Sequence, residues 1–184
     1  MPACLATARA FCPGQPRGSR QRLILLASLL LQPALVLIDH GHFQYNCISL
    51  GLALGAAAAI ARGRQVLGSV LFCLSLNHKQ MSLYYAPAFF SHLLGWALLQ
   101  RGFGAKVFAV VKLGAVVIST FAIVWAPWTS SPESVMRVVG RIFPLRRGLY
   151  EDYVSNFWCA TSLLVKWREV VAAPLMVRVA AGAT

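Results

Sequence analysis

The chain has 184 residues, of which 58% are hydrophobic and 12% are charged. Soluble domains carry roughly a quarter charged residues, so the charged share here is about half the usual one. Seventeen basic residues against five acidic ones give a formal net charge of +12. Because the basic residues form short clusters between apolar runs and no long basic face, the pattern disfavours nucleic-acid binding and indicates a membrane protein with basic connections.

Residues 1–22 form a basic segment that contains four arginines and no acidic residue. Such a composition fits an organellar transit peptide. We favour a different interpretation, a disordered cytosolic lead-in. Arg17, Arg20 and Arg22 directly precede an apolar run and would hold its first end in the cytosol. We therefore expect residues 1–22 to be a basic, disordered lead-in.

Five apolar segments follow, at residues 23–38, 47–61, 66–76, 81–100 and 107–128. A helix needs about 20 residues to cross roughly 30 Å of hydrocarbon, so the last two segments are long enough. The first three cross only if their helices continue into residues 39–46 and 77–80, which draws those polar residues partly into the membrane. We expect an all-α, polytopic helical membrane protein whose residues 23–128 form five transmembrane or half-membrane helices.

The basic clusters predict the orientation of these helices. They lie in alternate connections, at residues 17–22, 62–64 and 101–106, which the positive-inside rule assigns to the cytosol. The opposite connections hold the polar motifs at 39–46 and 77–80 and the loop from Thr129 onward. We therefore expect every polar motif to face one non-cytosolic compartment.

The loop over residues 129–156 carries several arginines. Apolar and basic residues alternate at helical spacing over 135–143, which predicts an amphipathic helix lying on the membrane surface. Lipid headgroups are the expected contact of Arg137 and Arg141. For Arg147 we favour an anionic ligand, because Gly148 and an acidic pair beside it define a turn and guanidinium binds phosphate bidentately. An incomplete further helical segment is expected over residues 157–184.

Three motifs carry a resemblance to a known family. They are Leu-Ile-Asp-His-Gly-His-Phe-Gln-Tyr-Asn at 37–46, His-Lys-Gln-Met-Ser-Leu-Tyr at 78–84 and Phe-Pro-Leu-Arg-Arg-Gly-Leu-Tyr-Glu-Asp at 143–152, continued by Asn-Phe-Trp-Cys at 156–159. Over residues 23–168 the chain resembles the dolichyl-phosphate-glucose-dependent α-1,3-glucosyltransferases of the endoplasmic reticulum. Two members add the first and the second glucose to a lipid-linked oligosaccharide. The motif forms here are more similar to the first-glucose member, and the second-glucose member is the alternative.

The resemblance implies a GT-C fold, a multi-pass protein of the endoplasmic reticulum membrane and an active site facing the lumen. It implies a hexosyl transfer from dolichyl-phosphate glucose to a dolichyl-pyrophosphate-linked oligosaccharide, with membrane lipid as surroundings and without a cofactor, a metal or nucleic acid. Family members are far longer and place their catalytic carboxylate in a large first lumenal loop. No such loop occurs in this chain, which we expect to be a middle piece that is inactive alone.

Inverting transfer requires a base for the acceptor hydroxyl and groups that stabilise the departing phosphate. The candidate substrate-binding residues are His42, Gln44, Tyr45, Asn46, Lys79, Gln80, Arg147, Glu151 and Asp152. Snorkelling to the interface is the alternative for Lys79, and a solvated loop pair is the alternative for Glu151 and Asp152. The catalytic residue stays unassigned. Asp39 is a candidate base, but we favour a structural role in which it pairs with a histidine or with Arg147.

Other classes of function are weighed against this interpretation. Asp39, His40 and His42 are three adjacent candidate metal ligands, but adjacency alone is weak evidence for a metal site. The five cysteines show no C-x-x-C spacing and suggest no zinc site, so a metal site is disfavoured. A polytopic transporter would gather polar residues at broken helices, but paired half-repeats are not evident in residues 23–128. A non-catalytic membrane fragment is the remaining alternative.

Overall fold

The computed structural model describes residues 2–42, 44–129 and 131–142, together with residues 161, 166 and 175. The chain divides into two compact units, 1–142 and 143–184. The described part of the first unit is helical and contains no strand, in agreement with the expected all-α class. Its α-helices are α1 (Pro2–Phe11), α2 (Arg20–Leu30), α3 (Asn46–Ala61), α4 (Gln65–His78), α5 (Ala86–Leu98), α6 (Phe103–Trp125) and α7 (Pro132–Ile142).

Helices α3 and α4 form a tightly packed pair at the centre of this unit. Their contact is made by small residues, and Ala56 and Ala59 on α3 are buried. A Cβ added at Gly68 on α4 would lie 2.4 Å from Cγ1 of Ile60 and 3.1 Å from the carbonyl oxygen of Ala56. Glycine is therefore required where the helices approach, as is common between helices that associate in membranes.

The other helices pack around this pair. Helix α1 packs against α3, and α6 packs against both α4 and α5. The contact between α5 and α6 is apolar: Ala97, Ala109 and Leu113 are buried there, with Leu93 and Trp96 packed against them. The arrangement leaves the start of α3 and the end of α4 in contact with the turns that carry the polar motifs.

Two of the predicted apolar segments are broken by proline. Helix α2 ends at Leu30, and the chain resumes as a π-helical segment over Leu35–His40. Pro33 lies in the gap, where its ring and missing N–H prevent the first helix from continuing. Residues 81–100 likewise lie in a 3₁₀ segment, Gln80–Tyr85, followed by α5, which has proline in its first turn. In both segments the break lies beside a proline, Pro33 in the first and Pro87 in the second.

Within the described residues, one helix is long and apolar enough to cross a membrane. It runs over Phe103–Trp128, counts 26 residues with the 3₁₀ turn at its end, and has a mean hydropathy of 2.4. Only 6% of its most apolar window is buried within the protein, as expected for a helix that faces lipid. Asn46–Ala61 is a shorter apolar helix. The five crossings expected from the sequence stay a prediction.

The amino-terminal residues differ from the disordered lead-in expected for 1–22. Helix α1 occupies Pro2–Phe11 and buries Thr7 and Ala8. Arg22 is 8% exposed and donates from Nη1 to the Gln15 carbonyl oxygen at 3.5 Å. Helix α1 packs against α3 and contains only one of the four arginines, Arg9, which explains why this part of a basic segment is helical. At the other end, α7 lies where the sequence predicts an amphipathic helix, and residues 143–160 lie outside the described part.

Candidate substrate-binding site

Asp39 lies at the junction between the π-helical segment and α3. It is 5% exposed, and its Oδ2 accepts a hydrogen bond from the backbone N–H of Cys47 in the first turn of α3. The N-cap residue itself, Tyr45, is left-handed with φ 57° and provides no side-chain cap. Asp39 therefore supplies the acceptor that a helix N-terminus requires, and its negative charge suits that end of the helix dipole.

The environment of Asp39 favours the ionised carboxylate. Burial by itself would raise its pKa, but hydrogen bonds from Cys47 and Asn46 outweigh burial and hold the pKa below its ordinary value. A carboxylate with a lowered pKa is a poor proton acceptor. The structural role is thus the better supported one, although the partner is the start of α3 and not His40 or His42. Oδ1 is buried without a hydrogen-bond partner among the described residues.

Lys79 connects the two motifs of the described unit. Its ammonium donates to the Gln44 carbonyl oxygen at 3.0 Å and to Oδ1 of Asn46. Asn46 in turn donates from Nδ2 to Oε1 of Gln44 at 3.3 Å. An ammonium has three N–H donors, so these two acceptors leave one donor for a further oxygen. The Lys79 side chain is thereby directed across to the first motif. Gln44, Asn46 and Lys79 together form the Lys79 cluster.

A cluster of three buried serines holds these motifs together. The Oγ atom of Ser82 lies 2.6 Å from that of Ser49 and 2.7 Å from that of Ser75. Ser75 also donates to the Ser49 carbonyl oxygen at 2.7 Å. The three serines come from α3, α4 and the 3₁₀ segment, and each is completely or almost completely buried. Because Ser82 follows Lys79 by three residues, the cluster fixes the turn that directs Lys79 toward Asn46.

Asn77 makes the second connection from the Lys79 turn. It accepts a hydrogen bond at Oδ1 from Nε1 of Trp125 at 2.6 Å and donates from Nδ2 to the Cys73 carbonyl oxygen at 2.8 Å. A cavity of about 460 Å³ lies beside this bond, and Trp128 and Arg137 contribute to its lining. The end of α4 is therefore hydrogen-bonded to the end of α6 next to the second motif, and α7 lines the adjoining cavity.

The remaining predicted residues divide into two groups. His42 and Tyr45 are exposed, and Gln80 is half-buried at the start of the 3₁₀ segment. Arg147, Glu151 and Asp152 lie outside the described residues. Among the described residues, no three histidine, cysteine or acidic side chains converge as metal ligands.

Sequence reasoning did not identify the serine cluster or the Asn77–Trp125 bond. Each of the apolar stretches that supply the cluster contains one or two serines, which is a weak signal. The partners are 26 to 33 residues apart for Ser49 and 48 residues apart for Trp125 and Asn77. Such pairings depend on how the helices pack and not on local pattern.

Comparison with known proteins extends the resemblance to the whole chain. The sequence matches the ALG6, ALG8 glycosyltransferase family over residues 1–183, so the basic amino-terminal residues fall within the match. It is 47% identical over its full length to a probable dolichyl pyrophosphate Man9GlcNAc2 α-1,3-glucosyltransferase of Arabidopsis thaliana, of which it covers 34%. It is 41% identical over 161 residues to the Gallus gallus enzyme described by the same name, with 88% of this chain and 32% of that one covered.

A third relative gives the same result. The chain is 44% identical over 167 residues to a probable dolichyl pyrophosphate Man9GlcNAc2 α-1,3-glucosyltransferase of Dictyostelium discoideum, covering 32% of it. The chain thus spans about a third of the length of these curated relatives. No solved structure matches it. Because the family match extends over almost every residue, this chain belongs to the ALG6, ALG8 glycosyltransferase family.

Proposed function

We propose that the chain is part of a membrane glucosyltransferase that transfers the first glucose, in α-1,3 linkage, to the dolichyl-pyrophosphate-linked high-mannose oligosaccharide of N-glycan precursor assembly. The donor is dolichyl-phosphate glucose, and the polar motifs face the lumen of the endoplasmic reticulum. The names of the relatives support the acceptor and the linkage. The donor is supported by the chemistry of the Lys79 cluster, which suits a phosphate oxygen.

The observation that carries this proposal is the position of the Lys79 ammonium. It is held by Gln44 and Asn46, and it retains one N–H for a ligand. A fixed cation close to a membrane-embedded substrate stabilises the negative charge that develops on a departing dolichyl phosphate, because the site is preorganised. Tyr45 and Gln80, which adjoin Gln44 and Lys79 in the sequence, and His42 in the first motif supply hydrogen-bonding groups for the sugar.

The proposal assigns different roles to the acidic residues and to Arg147. Asp39 organises the start of α3 and does not act as the base. Arg147 is assigned to phosphate binding, while Glu151 and Asp152 orient Arg147 or bind acceptor hydroxyls. The base is not assigned to a residue of this chain, and we expect the chain alone to be inactive.

The donor is tested with a chimera in which residues 1–184 replace the matching third of the Arabidopsis relative. Microsomes that contain the chimera, from cells lacking the first-glucose activity, are offered labelled dolichyl-phosphate glucose or labelled nucleotide-linked glucose. We expect label in the lipid-linked oligosaccharide from the first donor, and from the second only while dolichyl-phosphate glucose synthesis is active. Direct use of the nucleotide donor when that synthesis is blocked would contradict the proposal.

A matched pair of acceptors tests which glucose is added. The same microsomes are offered the lipid-linked oligosaccharide with no glucose or with one glucose. We expect transfer to the first acceptor and little to the second. Preference for the singly glucosylated acceptor would assign the second-glucose step instead. The 184-residue chain expressed alone is expected to give neither product.

A further inference from the structure

A groove runs along α3 on the side that faces α1 and α4. It has a volume of about 520 Å³, within the roughly 300–1,000 Å³ typical of small-molecule sites. Its walls are mostly apolar and small: Pro2 and Ala6 on α1, Gly51 and Gly55 on α3, and Leu67 and Leu71 on α4. The groove begins at Cys47 and ends at Arg62 and Arg64. At 1.5 Å per residue, α3 extends about 22 Å between these ends, which exceeds half of a roughly 30 Å hydrocarbon layer.

The charge at one end of the groove is unbalanced. Arg62 ends α3 and Arg64 precedes α4, and both are exposed. Neither side chain makes a hydrogen bond or ion pair within the described residues. The groove lining contains no acidic residue, and the acids of the first described unit are Asp39 and Glu133. Two guanidinium groups at the mouth of an apolar groove therefore offer phosphate the bidentate donors that it prefers.

We propose that this groove binds one anionic phospholipid, with its phosphate on Arg62 and Arg64 and an acyl chain along α3. The phosphate position at Arg62 and Arg64 lies at the opposite end of α3 from the Lys79 cluster, so it is distinct from the proposed sugar-transfer site, while the apolar part of the groove extends to Cys47 beside Asn46. The predicted cytosolic location of the Arg62–Arg64 turn agrees with this occupant, since the cytoplasmic leaflet carries the anionic lipids. A dolichyl chain would enter from the other end and place its phosphate near Cys47.

The test measures lipid binding to the purified 184-residue chain in neutral detergent. Labelled phosphatidylserine and phosphatidylcholine are added separately, and the dissociation constant is obtained for each as a mole fraction in the micelle. We expect phosphatidylserine to bind at least about tenfold more tightly. We expect the R62Q/R64Q variant to lose this preference, because a charge-assisted bond contributes about tenfold or more to binding. The control is R101Q, which removes an arginine from another exposed turn.

A second pair of variants tests the apolar part of the groove. A Cβ at Gly51 meets no atom within 4 Å, and the same holds for Gly114 on α6, outside the groove. Gly51→Leu therefore adds a side chain to the groove from a position where the Cβ has open space, and we expect it to weaken phosphatidylserine binding while Gly114→Leu leaves it unchanged. Circular dichroism establishes that each variant keeps its helix content.

Three results would overturn the proposal. The first is equal affinity for the two phospholipids, and the second is unchanged phosphatidylserine binding in R62Q/R64Q. The third is displacement of bound phosphatidylserine by dolichyl phosphate to the same extent in the wild-type chain and in R62Q/R64Q. That last outcome would show that the groove holds an isoprenoid chain with its phosphate at the Cys47 end.

Discussion

The Lys79 ammonium donates a hydrogen bond to Oδ1 of Asn46, a residue 33 positions earlier in the chain. This bond joins the end of α4 to the start of α3 and brings the two motifs of the described unit into one cluster. The cluster is supported by the buried serines on one side and by the Asn77–Trp125 bond on the other. Substrate-binding groups are most effective when packing holds them in this way before the ligand arrives.

Substituting Ser82 by alanine tests the serine cluster. The substitution removes the hydroxyl that contacts both Ser49 and Ser75, and leaves two buried hydroxyls without that partner. We expect the free energy of unfolding in detergent to fall by about 1–3 kcal/mol. Ser91→Ala is the control, because its hydroxyl is exposed and bonds within its own helix. Equal, small effects for the two variants would mean that the cluster does not stabilise the turn.

The capping role of Asp39 predicts a pH dependence of stability. Because its folded-state pKa lies below the ordinary value of 3.8, Asp39 stabilises the fold above that pH, and this contribution is lost as the pH falls through the folded pKa. We expect the stability advantage of the wild-type chain over Asp39→Asn to stay constant from pH 7 down to the ordinary pKa of 3.8 and to shrink as unfolding is measured at lower pH, toward the folded pKa. Glu133→Gln is the matched control. A constant difference between wild type and Asp39→Asn would contradict the capping role.

Trp125→Phe tests the second connection of the Lys79 turn. The indole N–H is lost while most of the aromatic volume is kept, so Oδ1 of Asn77 is left unpaired in a partly buried position. We expect a loss of about 1 kcal/mol in the free energy of unfolding. Trp128→Phe, at a residue that is 56% exposed, should have little effect. The connection would be dispensable if the two variants unfolded alike.

The proposed orientation is tested by cysteine labelling of the chain in sealed microsomes. Positions 41 and 62 lie in connections that are expected on opposite sides of the membrane. A side chain at Gly41 meets only the Val36 carbonyl oxygen at 3.7 Å, whereas Gly63 has φ 74°, so Arg62 is the better cysteine position in its turn. We expect labelling of Gly41→Cys from the lumen and of Arg62→Cys from the cytosol. Labelling of both from one side would contradict the predicted topology.

The sequence predicts some parts of this site and not others, for physical reasons. Gln44, Asn46 and Lys79 are identified from the sequence because polar residues at the ends of apolar segments cost free energy to place at the membrane, and such positions indicate a functional site. Asp39 is identified for the same reason, but its partner is not. Asp39 lies in the π-helical segment that follows the interruption at Pro33, and its carboxylate accepts from the first turn of α3, which no local pattern predicts. The ordered α1 is missed because the arginines of residues 1–22 dominate the composition, while α1 itself holds only Arg9 and packs against α3. Substrate contacts by these residues stay a prediction.

The most direct test of the central claim uses the chimera described above, which carries residues 1–184 within the Arabidopsis relative. Lys79→Met is compared with Lys112→Met, a substitution of an exposed lysine on α6, in cells that lack the first-glucose activity. Loss of a charge-assisted bond to the departing phosphate should lower the rate about ten- to a hundredfold. The lipid-linked oligosaccharide is analysed for the singly glucosylated species. We predict that it forms in the chimera and in Lys112→Met and falls at least about tenfold in Lys79→Met; an equal amount in all three would contradict the account.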